Sequence, residues 1–350
     1  MTASRGYGKA EGLALWRRVA TGEDAGAADA AAIARFAEII TPALADHLLG
    51  PGLADAEAVA QSRLVNRFNA AAQRAALLRI SAAGIDHVVL KGFAFAHTLY
   101  PAPEIRTIGD LDILVRAADR DRLIALLAGE GYAFRALPRP PWGFISTASY
   151  MPFVSADGAC NLDIHIHPDC WPAYRSLTTE LVFAQARTVT IDGDSGGGLV
   201  FRMPCDTQAL VLCATNAAKD KFGIFAARKI ADALVLLRRG QPDVAAAEGL
   251  AKIGRFRLPL HVFFALLREL GAELPARWAA DALPARARGE FARLLADTVG
   301  LYPAEPQPLA TLRRELTVCT EPSVGLANGL RRLAGLVRPG SGIPDGARTA

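Results

Sequence analysis

The stretch IGDLDILV, residues 108–115, sets Asp110 and Asp112 two positions apart in an otherwise apolar run. Side chains alternate along a strand, so both carboxylates face one side while Leu111 and Ile113 face the other. Carboxylates this close repel each other, and an apolar setting drives one towards its protonated form. A divalent cation removes the conflict. Hard oxygen donors suit Mg2+, which binds through one or two carboxylates and keeps positions for substrate phosphates. Solvation of both groups at an exposed sheet edge is the other reading of the pair taken alone. A second run, NLDIHIHP at 161–168, puts Asp163, His165 and His167 on one strand face, with Leu162, Ile164 and Ile166 opposite. If that strand neighbours 110–115, Asp163 completes a cluster of three carboxylates, enough for two metal ions around an in-line phosphoryl or nucleotidyl displacement. His165 reads as a partner that orients the aspartates or as a satisfied core histidine, and His167, before Pro168, as a solvated neighbour. Upstream, LKG at 90–92 ends an apolar strand and opens a helix. Backbone N–H groups at such a start, the small Gly92 and the charge of Lys91 together make an anion site, with a plain tight turn as the alternative.

The elements that must position these groups follow from periodicity. From about 28 to 83 the pattern is helical, and in 56–84 the apolar residues Val59, Leu64, Phe68, Ala71, Ala75 and Leu78 recur roughly every three or four positions before Gly84. A short strand ending at Lys91 and Gly92, a helix from Phe93 to about Tyr100, the Asp110–Asp112 strand and a helix over 119–128 come next. Strands near 149–155 and 160–167 follow, then a hairpin of ARTVTI and LVFRM around DGDSGGG, whose glycines serve the turn because no GKS or GKT follows them. After Pro204 the chain reads as helices at 206–220, 224–239, 260–270, 288–299 and 325–337, with a disordered tail from Pro339.

Taken together, VVLKGFAFAHTLYPAPEIRTIGDLDILV and the later LDIHIHP resemble the polymerase-beta-type nucleotidyltransferases, most closely the bacterial uncharacterised nucleotidyltransferase family, over about 60–240. That resemblance implies an α+β fold, a small mixed β-sheet nucleotidyltransferase core flanked by N-terminal helices and a helical C-terminal domain. The expected boundaries are 1–83, 84–203 and 204–338, with 339–350 as the tail. It implies transfer of a nucleoside monophosphate from an NTP, with Mg2+ or Mn2+ as cofactor. Asp110 and Asp112 would bind both metal ions, and Asp163 would bind the catalytic metal and orient or deprotonate the acceptor. Lys91 and Gly92 would face the triphosphate, Arg106 would pair with a phosphate or brace the aspartate loop, and Lys219, with Lys221 nearby, would supply a further phosphate-binding cation. The chain departs from the family pattern at Phe93, where many members carry a serine whose hydroxyl meets a phosphate, and in its longer interval to the aspartate pair.

Composition narrows the rest. The 350 residues are 51% hydrophobic, ample for a core, and the net charge of +4 is spread without a Lys/Arg block. A protein, peptide or small-molecule acceptor is therefore expected ahead of a long nucleic acid. The five cysteines form no CxxC pair, and no apolar stretch reaches the ~18 residues of a membrane span, so a cytoplasmic protein with no membrane association is expected. Two rival functions remain. One is a nucleotidyltransferase fold that binds a peptide or protein without turnover. The other is a metal-dependent hydrolase using His165 and His167, although about half the chain precedes this HxH and mostly helices follow it.

Overall fold

The computed structural model describes residues 8–23, 29–134, 152–192, 198–303, 308–327 and 330. Two compact units make up the chain: Met1–Arg63 with Leu210–Lys252 and Phe256–Pro322, and Leu64–Ala209 with Ile253–Arg255 and Ser323–Ala350. The fold is α+β, as expected.

Helices α1 (Lys9–Thr21), α2 (Ala30–Ile40) and α3 (Pro42–Leu49) open the chain. The helical pattern from 28 onward breaks at Thr41, where φ is +96°, and Pro42 starts the next helix because its missing N–H is no loss in a first turn. The long α4 (Ala56–Ala82) forms as expected and ends before Gly84, at φ +65°. Its buried side is the surprise. Leu64 and Phe68 are 55% and 71% exposed, whereas Asn66 and Gln73 are each 1% exposed beside Ala70, Leu77 and Ile80. Hydrogen bonding explains the reversal: Asn66 Nδ2 donates to the Glu104 carbonyl at 2.8 Å and Asn69 Nδ2 to that of Ile108 at 3.0 Å. An apolar side chain at either position would take a donor from a loop carbonyl.

Next come β1 (His87–Val89), α5 (Gly92–Thr98), β2 (Leu111–Val115), α6 (Arg120–Gly129), β3 (Ala133–Phe134), β4 (Phe153–Val154) and β5 (Asn161–His165). The sheet order is β1-β2-β5-β4-β3, with β2 and β5 parallel and every other pair antiparallel. All five residues of β2 are buried, so the strand sits in the middle of the packing rather than at an exposed edge. It begins at Leu111, which leaves Asp110 in the loop just before it. Then α7 (Thr179–Gln185) is capped by Thr178, whose hydroxyl accepts from Leu181 N, and β6 (Arg187–Ile191) pairs with β7 (Leu199–Met203) in the expected hairpin.

The remaining helices are α8 (Asp206–Lys219), α9 (Ala227–Arg239), α10 (Val244–Ile253), α11 (Arg257–Glu269), α12 (Ala285–Val299) and α13 (Pro308–Thr317). Neither α10 nor α13 is expected from the sequence. In α10 only Ala247 and Ala251 are buried, too little apolar surface to signal a face, and in α13 Leu309, Leu312 and Leu316 point outward. Trp16 anchors this unit, packing edge-on against Phe36 and donating through Nε1 to the Thr298 carbonyl at 3.1 Å. The turn over 193–197, the strand expectation before 152, most of the helix expected at 325–337 and the tail from 339 lie outside the described residues. Among the described residues no helix is long and apolar enough to cross a membrane.

Candidate functional site

Parallel pairing of β2 with β5 makes Asp112 and Asp163 direct Cα partners, and Leu114 and His165 likewise. Both aspartates therefore emerge side by side, and His165, two residues beyond Asp163, shares the same face. One ligand atom from each of Asp112, Asp163 and His165 lies within 4.8 Å of the others. Asp112 and His165 are buried and Asp163 is half-buried. His165 Nε2 stands 2.9 Å from Asp112 Oδ1, and Lys91 Nζ stands 2.8 Å from the same oxygen. Against an ionised Asp112 the imidazole donates through Nε2, which leaves Nδ1 buried without a hydrogen-bond partner.

Charge is unevenly shared in this cluster. Burial alone pushes the Asp112 carboxyl up, but Lys91 and the hydrogen bond from His165 outweigh it and hold the group below the usual carboxylate range. Lys91 responds in kind: burial lowers it, Asp112 and then Asp110 raise it further, and it stays an ammonium. Among the described residues Asp163 has no hydrogen bond or ion pair of this kind, and Lys91 offsets it only weakly. Burial, followed by the charges of Asp112 and Asp110, pushes it up to about 7. Asp110 is raised as well, first by Asp112 and then by burial. One ammonium thus serves three carboxyls, and the donor set of clustered oxygens with an imidazole beside them fits a hard divalent cation.

The phosphate-facing candidates lie next to this cluster. An added Cβ on Gly92 would stand 3.5 Å from Arg106 Nη1, 3.5 Å from the Asp110 carbonyl oxygen and 3.5 Å from Ile108 Cγ2, so Gly92, Arg106 and Asp110 are immediate neighbours. Arg106 is buried, donates from Nη1 to the Thr107 carbonyl at 2.9 Å and lies 5.9 Å from the centroid of Phe95. Phe93 is a core residue, edge-on to Phe201 at 5.6 Å and tilted on His97 at 4.4 Å. The Phe93 side chain is therefore packed into the core rather than presented at the turn.

His167 stacks on Tyr174 with centroids 4.3 Å apart and does not join the donor group, and Cys170, though buried, does not join it either. Lys219 closes α8 and Lys221 pairs with Glu315 at 3.7 Å, both in the mainly helical unit. Sequence reasoning missed Asn66 and Asn69, which hold the loop carrying Arg106 and Asp110. Their signal was present: Asn66, Asn69 and Gln73 repeat at helical spacing with Ala70, Leu77 and Ile80.

The family described as uncharacterised nucleotidyltransferase matches this chain over residues 29–271. No curated protein and no solved structure matches it.

Proposed function

The chain belongs to the uncharacterised nucleotidyltransferase family, and from that premise we propose that it moves a nucleoside monophosphate from an NTP to a hydroxyl of a protein, peptide or small-molecule acceptor. The observation that carries this reading is the register of β2 against β5, which aligns Asp112 with Asp163 beside Asp110 and leaves the three carboxyls short of positive charge. In the reaction the acceptor oxygen bonds to the α-phosphorus, the bond to the bridging oxygen breaks, and pyrophosphate leaves.

Asp110, Asp112 and Asp163 would hold the cation, Mg2+ or Mn2+, which when bound polarises the α-phosphate and stabilises the attacking and leaving oxygens. Asp163, aligned with Asp112 at the site, would orient the acceptor or take its proton. His165 fixes the direction of Asp112 through its Nε2 hydrogen bond. Gly92 leaves room for the triphosphate, and Lys91 and Arg106 offset its charge. Lys219 is assigned to phosphate binding on the resemblance alone. A cytoplasmic setting agrees with five cysteines that form no disulfide among the described residues.

Incubation with each α-labelled NTP, Mg2+ and cell extract tests the proposal by comparing wild type with Asp110→Ala/Asp112→Ala. Label should pass to an acceptor only with the wild type, and transfer that survives the double substitution would rule the site out. Burial of Phe93 where relatives carry a hydroxyl favours a second reading, a binding module that no longer turns over. Binding of NTP with Mg2+ and no transfer to any acceptor would support that one.

A further inference from the structure

The three carboxyls of the site are not held in the same way. Asp112 and Asp163 sit on paired strands, where the ladder of β2 with β5 fixes their backbones. Asp110 precedes β2 and belongs to the connection from α5, the same connection that carries Arg106. A loop has no strand partner to set where its side chains point, so its backbone groups must find partners elsewhere and are fixed by them.

Two such partners come from one face of α4. Asn66 and Asn69, three residues apart and therefore neighbours on the helix surface, donate to the carbonyls of Glu104 at 2.8 Å and Ile108 at 3.0 Å. The two anchored carbonyls bracket Arg106, and the second lies two residues before Asp110. Arg67, between the two asparagines, adds an ion pair with the Glu104 carboxylate at 3.1 Å. Ile105 and Ile108 are buried, and Asn66 is buried with them, so the loop is drawn onto the helix rather than left in solvent. Between the last anchor and the carboxylate stands Gly109, where an added Cβ would meet no atom within 4 Å among the described residues. The place of Asp110 is thus referred back to the hydrogen bond at Ile108 on one side and to Leu111, paired with Leu162, on the other.

An amide turned inward is a poor choice for packing alone, because its polar atoms must be desolvated; what it adds here is a direction for the loop. Resting on the reading of the site as a nucleotidyltransferase centre, we propose that Asn69, with Asn66 beside it, is a positioning residue for the reaction: the α4 amides hold the loop so that Asp110 meets the cation next to Asp112 and Arg106 meets the triphosphate at Gly92. Both groups do return to that turn, since an added Cβ on Gly92 would stand 3.5 Å from Arg106 Nη1 and 3.5 Å from the Asp110 carbonyl oxygen. Asn69 touches neither the cation nor the nucleotide in this arrangement and acts through Asp110.

Calorimetric titration of the full chain with Mn2+ provides the test, on wild type, Asn69→Leu, Asp110→Ala and the double variant. Asn69 is half-buried, so Asn69→Leu removes the donor at similar volume, and Asn69→Ala titrated beside it guards against misfolding of the leucine variant. Loss of the donor should weaken Mn2+ binding about tenfold or more, the scale for a partner that orients a metal ligand. Asp110→Ala should lose at least as much, and Asn69→Leu added to it should cost nothing further, because residues that act through one another are not additive. Trp16→Phe, which gives up a buried donor to the Thr298 carbonyl in the other unit, should melt at lower temperature yet bind Mn2+ as wild type does. Wild-type affinity in both Asn69 variants, or a loss that adds to that of Asp110→Ala, overturns the proposal and leaves the cation site standing. Unchanged Mn2+ binding in Asp110→Ala overturns the proposal together with the reading of the site on which it rests.

Discussion

Lys91 Nζ lies 2.8 Å from Asp112 Oδ1, so the most buried carboxylate of the site carries a counter-cation of its own. Removing that ammonium strands a buried negative charge, a loss on the order of 3 kcal/mol. Lys91→Met is therefore expected to unfold at lower temperature than wild type in chelator. Mn2+ should return more stability to the variant than it adds to wild type, because the metal replaces the missing charge. Thermal unfolding with and without Mn2+ reads both effects, and equal gains in the two proteins would count against this account.

The two histidines of HIH should behave differently. His165 hydrogen-bonds Asp112, and loss of such a supporting partner costs roughly 10–100-fold in metal affinity or activity. His167 stacks on Tyr174 away from the donor group, so His167→Ala should bind Mn2+ as wild type does. Mn2+ titration of both variants checks the contrast. A comparable loss in the two would revive a hydrolase-like site.

Gly92 meets its neighbours only at ordinary contact distance, and its φ is not positive, so an alanine fits the protein itself. Gly92→Ala should keep the wild-type melting temperature, even with a gain of a few tenths of a kcal/mol from a less flexible unfolded chain, at roughly the scale known for such changes. What the methyl group fills is the space assigned to the triphosphate. Equilibrium dialysis with labelled NTP should show about tenfold weaker binding or worse, and undiminished binding would remove Gly92 from the phosphate site.

Stability of the metal-free protein should depend on pH through Asp163. Its carboxyl, ordinarily near 3.8, is pushed up to about 7 in the fold. Between those values the unfolded chain has released a proton that the folded chain retains, so this contribution is full below about 4 and is lost as pH rises through about 7. Asp110 shifts in the same direction, whereas Asp112, held low by Lys91 and His165, acts only at more acid pH. Asp163→Asn should flatten the decline in melting temperature over this window. Parallel wild-type and variant profiles in chelator would remove Asp163 as its source.

The meeting of Asp112, Asp163 and His165 was legible in the chain because strand periodicity and residue type suffice for it. Asp112, Asp163 and His165 needed only alternation along β2 and β5 to fall on one face, and the parallel pairing supplied the neighbourhood. The face of α4 was misread for the opposite reason. Hydrophobic periodicity favoured Leu64 and Phe68, but the helix turns Asn66 inward to meet a loop carbonyl, a demand set by a partner 38 residues away. The helix α10 escaped because its short alanines leave little apolar surface to count, while α13 does repeat Leu309, Leu312 and Leu316 at helical spacing but turns them outward. Lys91 was expected to face phosphate, and its pairing with Asp112 depends on a strand-to-strand contact that spacing along the chain does not encode.

Because Asp112 and Asp163 meet through ladder hydrogen bonds, the site does not depend on the length of the loops between β2 and β5. Residues could be gained or lost in that connection outside α6, β3 and β4 without moving a donor atom, while the deletion of one residue inside Asn161–His165 would turn the remaining side chains to the opposite face. Tolerance to insertion and intolerance to slippage are two sides of the same pairing. Homologous chains should accordingly vary in the length of this crossover and hold the spacing from Asp163 to His165 fixed.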